Sequence, residues 1–289
     1  MMMRLAVATA LPLAVESAPM IARAAKPFQG GGRGLKRAAA ADRVAAMRFP
    51  QPLLRGVLVR RYKRFLADVA IADGADGERV VTVHCPNPGS MLGLDRPGFE
   101  AWLAPARNAA SKLPYGLQLI RPGPGAALVG VNTALANALV EEALAAGKIE
   151  ALAGYSGRRR EVRYGERSRV DFVLEAPGRP PCYVEVKSVT LRRDAADGAG
   201  LAEFPDAPTL RGTRHLGELA AMARAGARAV MLFVVQRADC DRFAVAADID
   251  PAYAAALEAA RAAGVEIAVH GCSVDLDGIV LADPLAYDA

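Results

Sequence analysis

The chain is predicted to be an α/β protein, a small β-barrel followed by a domain built on a mixed sheet. Three observations predict this. Short apolar runs broken by Gly, Pro and Asp fill residues 53–128, the texture of short strands and tight turns. From Asn132 onward apolar residues recur at helical spacing and then in strand-like runs, in the order helix, three strands, helix, strand, which is an α/β core. At 289 residues, 53% of them hydrophobic, the chain is long enough for one large domain or two modest ones.

Residues 1–46 read as an extension outside this organisation. Arg4 ahead of the apolar residues 5–15, with Ala22-Arg23-Ala24 after them, has the outline of an export signal. Glu16 and the Ala-, Gly- and Arg-rich stretch 29–41 interrupt it, and that stretch has no period that could bury a face. The expectation is a poorly ordered extension, with organised sequence starting at Met47. The extension holds seven basic and two acidic residues, which leaves 29 of each sign in the rest of the chain, so the formal charge of +5 resides in it. Net charge therefore says nothing of partners; only local patches can. No apolar run is long enough for a membrane span. Cys85, Cys182, Cys240 and Cys272 lack metal-ligand spacing and are read as reduced thiols of a cytoplasmic protein.

Within residues 47–128, candidate strands at 55–59, 65–72, 79–84 and 117–120 are separated by Asp73-Gly74, Asp76-Gly77, Pro86-Asn87-Pro88-Gly89 and Pro97-Gly98. Short strands at this spacing suggest a small barrel of the OB type. In residues 129–289, Leu135, Leu139, Ala143 and Leu144 mark a helix that Gly147 stops. Strands follow at 160–164, 169–175 and 182–190, then a helix with Leu216, Leu219, Ala220 and Ala223 on one face. The continuous apolar run 229–235 reads as a buried strand, a second helix starts after Pro251, and 265–269 forms another strand.

The residues that suggest chemistry lie on two neighbouring strands. In Tyr183-Val184-Glu185-Val186-Lys187, alternation puts Glu185 and Lys187 on one face. Arg169-Val170-Asp171-Phe172-Val173 precedes it, and pairing of the two strands as a hairpin would bring Asp171 to Glu185. Two carboxylates suit a hard cation such as Mg²⁺ or Mn²⁺, which keeps waters and accepts a substrate phosphate. Asp171 and Glu185, with the Val186 carbonyl, would hold the ion, and Lys187 would orient the attacking water. Glu-x-Lys alone is equally a strand salt bridge. Glu142, one turn before Gly147, reads either as a solvated helix carboxylate or as a third group facing the cation.

The chain from Met47 to about His270 resembles the sugar fermentation stimulation protein A family. The resemblance is carried by Arg60-Arg61-Tyr62-Lys63-Arg64-Phe65, His84-Cys85-Pro86-Asn87, Gly130-Val131-Asn132-Thr133, Arg167-Ser168-Arg169-Val170-Asp171-Phe172, Cys182-Tyr183-Val184-Glu185-Val186-Lys187, Phe204-Pro205-Asp206-Ala207 and Arg214-His215-Leu216. It implies an OB-like domain followed by a restriction-endonuclease-like domain of the PD-(D/E)XK type, with DNA binding and a link to sugar utilisation. By that resemblance Asp171, Glu185 and Lys187 occupy the nuclease motif and Glu142 its first-helix acid. Pro88, Pro208 and Leu210 depart from the family's usual residues in loops near the motif.

Two basic clusters would meet nucleic acid. Arg60, Arg61, Lys63 and Arg64 interleave with Tyr62 and Phe65, as on an OB surface that grips phosphates and stacks bases; a solvated strand edge over two core aromatics has the same pattern. Arg158, Arg159, Arg160 and Arg163, followed by Arg167 and Arg169, form a positive rim ahead of the motif, and Arg214 opens the next helix beside His215, which reads as a phosphate contact or as a structural residue. The expected partner is DNA, bound largely without sequence preference, and a homo-oligomer is compatible with the sequence. The leading reading is a DNA-binding protein with a Mg²⁺-dependent phosphodiesterase site. The alternative is a non-catalytic DNA-binding regulator on the same fold.

Overall fold

The computed structural model of the chain describes residues 47–289 except 75–76, 107, 109, 166–167 and 196–197. The expectations for residues 1–46 and the contact assigned to Arg167 lie outside the described residues. The chain opens with a short strand, β1 (Met47–Arg48), that pairs with residues 278–279 near the far end of the sequence. The barrel follows, from β2 (Leu54–Tyr62), β3 (Leu66–Asp73), β4 (Gly77–His84), β5 (Glu100–Pro105) and β6 (Tyr115–Arg121), with β7 (Val129–Gly130) added beside β6. Alternation builds it: Ala67, Val69 and Ile71 of β3 point into the core, as do Ala101 and Leu103 of β5. β2 crosses β3 at Gly56, where a Cβ would stand 2.5 Å from Val69 Cγ1, so only glycine permits that approach. β4 also runs parallel to β6 at His84 and Gly116, which closes the five strands into an OB barrel. β5 is absent from the sequence expectation because its alternation rests on alanine and one leucine.

The second part starts with α1 (Leu135–Ala145), ended by Gly147 in the left-handed region at φ 66°. Then come β8 (Gly157–Tyr164), β9 (Ser168–Glu175), β10 (Cys182–Val189), α2 (Leu210–Arg224), β13 (Arg228–Val235), α3 (Pro251–Ala262), β15 (Glu266–Val274) and β16 (Gly278–Pro284). They form a seven-stranded sheet in the order β1-β16-β15-β13-β10-β9-β8. β10, β13 and β15 are parallel and the others antiparallel, the mixed sheet expected. Thr209 Oγ1 caps α2 by accepting from Gly212 N at 3.0 Å, and Asp250 Oδ1 caps α3 by accepting from Tyr253 N at 3.0 Å, with Pro251 as the first helical residue.

One core lies between the sheet and α1, with Leu139, Val140, Phe172, Val184 and Leu232 in it. The other lies under α2 and α3, with Leu216, Leu219, Val173, Phe233 and Leu257. β13 contributes to both, which is why its sequence is apolar throughout. A further four-stranded sheet, β11 (Leu191–Asp194), β12 (Gly200–Phe204), β14 (Arg242–Val245) and β17 (Ala286–Asp288), was not expected. Its short, arginine-rich strands are held partly by the ion pairs of Arg193 with Glu203 and Asp248, which carry no hydrophobic period. All four cysteines are buried and unpaired. Among the described residues no helix is long and apolar enough to cross a membrane.

Truncation of the fully buried Phe172 to alanine is expected to lower the unfolding free energy by about 3–5 kcal/mol in a urea titration. The same change at Phe65, which is 49% exposed, should stay within about 0.5 kcal/mol.

Candidate active site

The site begins where β9 and β10 stop pairing. Their ladder runs Cys182 to Leu174, Tyr183 to Val173 and Val184 to Phe172. Val170 packs under α2 and Phe172 under α1, so the alternation of β9 breaks at Asp171. The backbone N–H of Val186, beyond the last rung, donates to Asp171 Oδ2 at 2.7 Å. Asn137 of α1 donates its Nδ2 to Oδ1 at 2.8 Å. Burial pushes the Asp171 carboxyl above its ordinary range, and the negative charge of Glu185 adds to this; the two hydrogen bonds and Lys187 oppose it.

Glu185 projects from β10 toward α2 and is 2% exposed. Its Oε1 accepts from Lys187 Nζ at 2.6 Å and also from His215 Nδ1. His215 Nε2 accepts from Arg211 Nε at 3.3 Å, so the ring proton resides on Nδ1 and points at Glu185. Burial alone would raise the Glu185 carboxyl, but the His215 hydrogen bond and the Lys187 charge hold it below its ordinary value. Oε2 of Glu185 is buried without a hydrogen-bond partner. A buried carboxylate oxygen of this kind is costly unless it is satisfied.

Asp171, Glu185 and Lys187 line one cleft of about 550 Å³ with Arg64, Asn87 and Arg211. The barrel supplies part of its wall through the loop after β4. Arg61 shapes that loop, donating to the carbonyls of Ser90, Asn87 and Gly89 at 2.9, 2.9 and 2.6 Å. Asp206, just after β12, accepts the Met91 N–H at 2.8 Å and ties the loop to the second domain. The donor set, two carboxylates with one orphaned oxygen, fits a hard divalent cation that completes its shell with water and phosphate. Among the described residues no cluster of three or more His, Cys, Asp or Glu side chains is placed to hold a metal ion.

The structure therefore brings Asp171, Glu185, Lys187 and Arg64 together and leaves other expected residues elsewhere. Glu142 is not among the residues that line this cleft; Asn137, five residues earlier and about 140° round the helix, is the α1 side chain that reaches Asp171. Arg61 also departs from the expectation, since its guanidinium is spent on the chain's own carbonyls. Arg60 is paired with Asp68 at 2.7 Å and lies 4.8 Å from the Tyr62 ring centre. Lys63 and Arg64 sit exposed in the β2–β3 turn, both at positive φ.

On the outer strands, Arg159 pairs with Glu175 at 2.6 Å and Arg160 with Glu141 at 2.5 Å. Arg163 and Arg169 stand directly opposite each other, exposed, a like-charge pair that weakens the strand pairing there. Arg214 is exposed on α2. Sequence reasoning missed Asn137 and gave Arg211 no role. Asn137 had one visible signal, a polar residue between the apolar positions of α1.

Replacing Glu185 with alanine leaves Lys187, whose side chain is 15% exposed, and the His215 N–H without their acceptor. A loss of about 3 kcal/mol is expected in chemical denaturation. Arg214→Ala, at an exposed position, should leave the midpoint unchanged.

Residues 134–278 match the family model described as "Sugar fermentation stimulation protein RE domain", and residues 59–131 match "SfsA N-terminal OB domain". A sugar fermentation stimulation protein homolog of Rhodospirillum centenum is 57% identical over 233 residues, covering 81% of this chain and 96% of its own. A homolog of Jannaschia sp. is 53% identical over 84% of this chain and 97% of its own. Among solved structures, that of Pyrococcus furiosus SfsA in complex with Ca²⁺ superposes with a TM-score of 0.74 at 29% identity, covering 85% of this chain and all of that one.

Proposed function

Because the chain belongs to the sugar fermentation stimulation protein family, we propose that its cleft is a nucleic-acid phosphodiesterase site that uses a divalent cation. The observation that carries this reading is the buried, unpartnered Oε2 of Glu185 beside an Asp171 carboxyl whose ionisation the fold disfavours. A carboxylate held against electrostatic cost beside a second buried one marks a candidate functional site. Asp171 and Glu185 would hold Mg²⁺ or Mn²⁺, which when bound supplies Lewis-acid polarisation of a phosphoryl oxygen and an acidified water. The Ca²⁺ named with the Pyrococcus furiosus relative is a cation of the same hard, oxygen-seeking class.

The chain's own residues have distinct tasks in this reading. Asn137 and the Val186 N–H fix the Asp171 carboxylate. His215 fixes Glu185 and is itself held by Arg211. Lys187, bonded to Glu185 at 2.6 Å, would orient an attacking water and offset charge growing on the phosphate. Arg64 and Arg211 line the cleft and attract the phosphodiester backbone, while Arg163 and Arg169 extend the positive rim. Phosphate contacts carry no base information, so binding is expected to be largely independent of sequence. The OB barrel beside the cleft belongs to an architecture that binds oligonucleotides.

A non-catalytic DNA-binding regulator is the second reading, and one feature favours it: Lys187 is tied to Glu185 at 2.6 Å, as in an ordinary strand salt bridge. Cleavage of single- and double-stranded DNA with Mg²⁺ or Mn²⁺ separates the two. Metal-dependent cleavage that falls about 100-fold or more in Asp171→Ala and Lys187→Ala, with DNA binding retained, is the expected result. Binding without cleavage under any metal condition supports the regulator instead.

A further inference from the structure

A second cavity, of about 870 Å³, lies between the barrel and α1. Its walls come from β1 and the residues after it, the β5–β6 loop, the closing contact of the barrel at His84 and Gly116, and the first turns of α1. Among the described residues three charged side chains line it, Arg48, Lys112 and Arg160, all cationic, and no carboxylate does. Arg160 is neutralised by Glu141, but Arg48 and Lys112 are exposed and form no ion pair among the described residues. Phe49, Tyr115 and His84 bring rings to the same space. Cations beside aromatic faces bind the phosphates and bases of an unpaired strand.

The cavity is also a neighbour of the catalytic cleft. Ala134, Leu135 and Ala138 of the α1 region face the cavity, while Thr133, Ala136 and Asn137 face the cleft. One helical turn therefore separates the two, and no acidic residue stands in that first turn, where the helix dipole is positive. A volume within the range of small-ligand pockets, about 300–1,000 Å³, admits a few unpaired nucleotides and has no room for a duplex. We propose that this cavity holds an unpaired strand of nucleic acid and leads it over the start of α1 to Asp171 and Glu185. The proposal rests on the nucleic-acid reading above and adds to it a substrate class, single strands or the unpaired end of a duplex.

The test is binding of a fluorescein-labelled oligodeoxynucleotide, as a single strand and as a blunt duplex, by the full chain in Ca²⁺. Variants are Arg48→Ala with Lys112→Ala, Phe49→Leu, and Arg64→Ala in the cleft. Arg48 and Lys112 are exposed, so their double variant should keep the parent's thermal melt, and the basic extension is common to all forms. The double variant should bind the single strand at least about tenfold more weakly, with a salt slope shallower by roughly 0.7 for each phosphate that the chain no longer neutralises. Phe49→Leu, which keeps an apolar side chain but removes the ring, should lower single-strand affinity about fivefold or more. Duplex binding should be unchanged in both. Single-strand binding that survives these variants and falls only in Arg64→Ala overturns the cavity proposal and leaves the nucleic-acid function standing. Failure of the parent chain to bind either oligonucleotide overturns both.

Discussion

The separation of β9 from β10 is the constraint on which the rest of the site depends. Ladder pairing up to Phe172 and Val184 holds the two strands in register, and its end leaves the Val186 N–H unpaired by backbone. A buried amide must find an acceptor, and the Asp171 side chain supplies one. That single exchange draws the carboxylate into the gap between strands, where α1 can secure it from one side. The two acids thus line one cleft, Asp171 held from α1 and Glu185 from α2.

The arrangement has an electrostatic cost that folding alone does not explain. Asp171 is raised by burial and by Glu185, and Glu185 stays ionised because His215 and Lys187 converge on one of its oxygens. An acid whose folded pKa lies above its unfolded one favours folding when protonated, so its ionisation weakens the fold as pH rises from its unfolded pKa toward the raised one. Natural proteins tolerate such strain at functional sites and compensate elsewhere, here through the two cores under α1 and under α2 and α3. Around the site, the capped start of α2 and the Asp206 link to the barrel loop hold His215 and the cleft wall in place.

Much of this was legible in the sequence because it rests on periodicity. The helix over α1, the hairpin of β9 and β10, the buried β13 and the capped start of α3 each announce themselves through spacing, apolar runs or Pro251. The register that sets Asp171 beside Glu185 followed from loop length only as a permitted pairing; the Val186 hydrogen bond is what selects it. Three things were hidden. The small arginine-rich sheet of β11, β12, β14 and β17 is partly tied by ion pairs, which leave no hydrophobic pattern. Asn137 and Glu142 share a helix, and which of them meets Asp171 depends on its rotation against the sheet. Arg61 looks like its neighbours in sequence, yet its position under the Asn87–Ser90 loop turns it inward to carbonyls.

The central claim is that Asp171 and Glu185 share one divalent ion. Crystals of the full chain soaked in Mn²⁺ and measured at the manganese edge test it most directly. The account predicts one anomalous peak in contact with an Asp171 oxygen and with Oε2 of Glu185. Saturating Mn²⁺ that leaves no peak there, with Oε2 still without a partner, would contradict it.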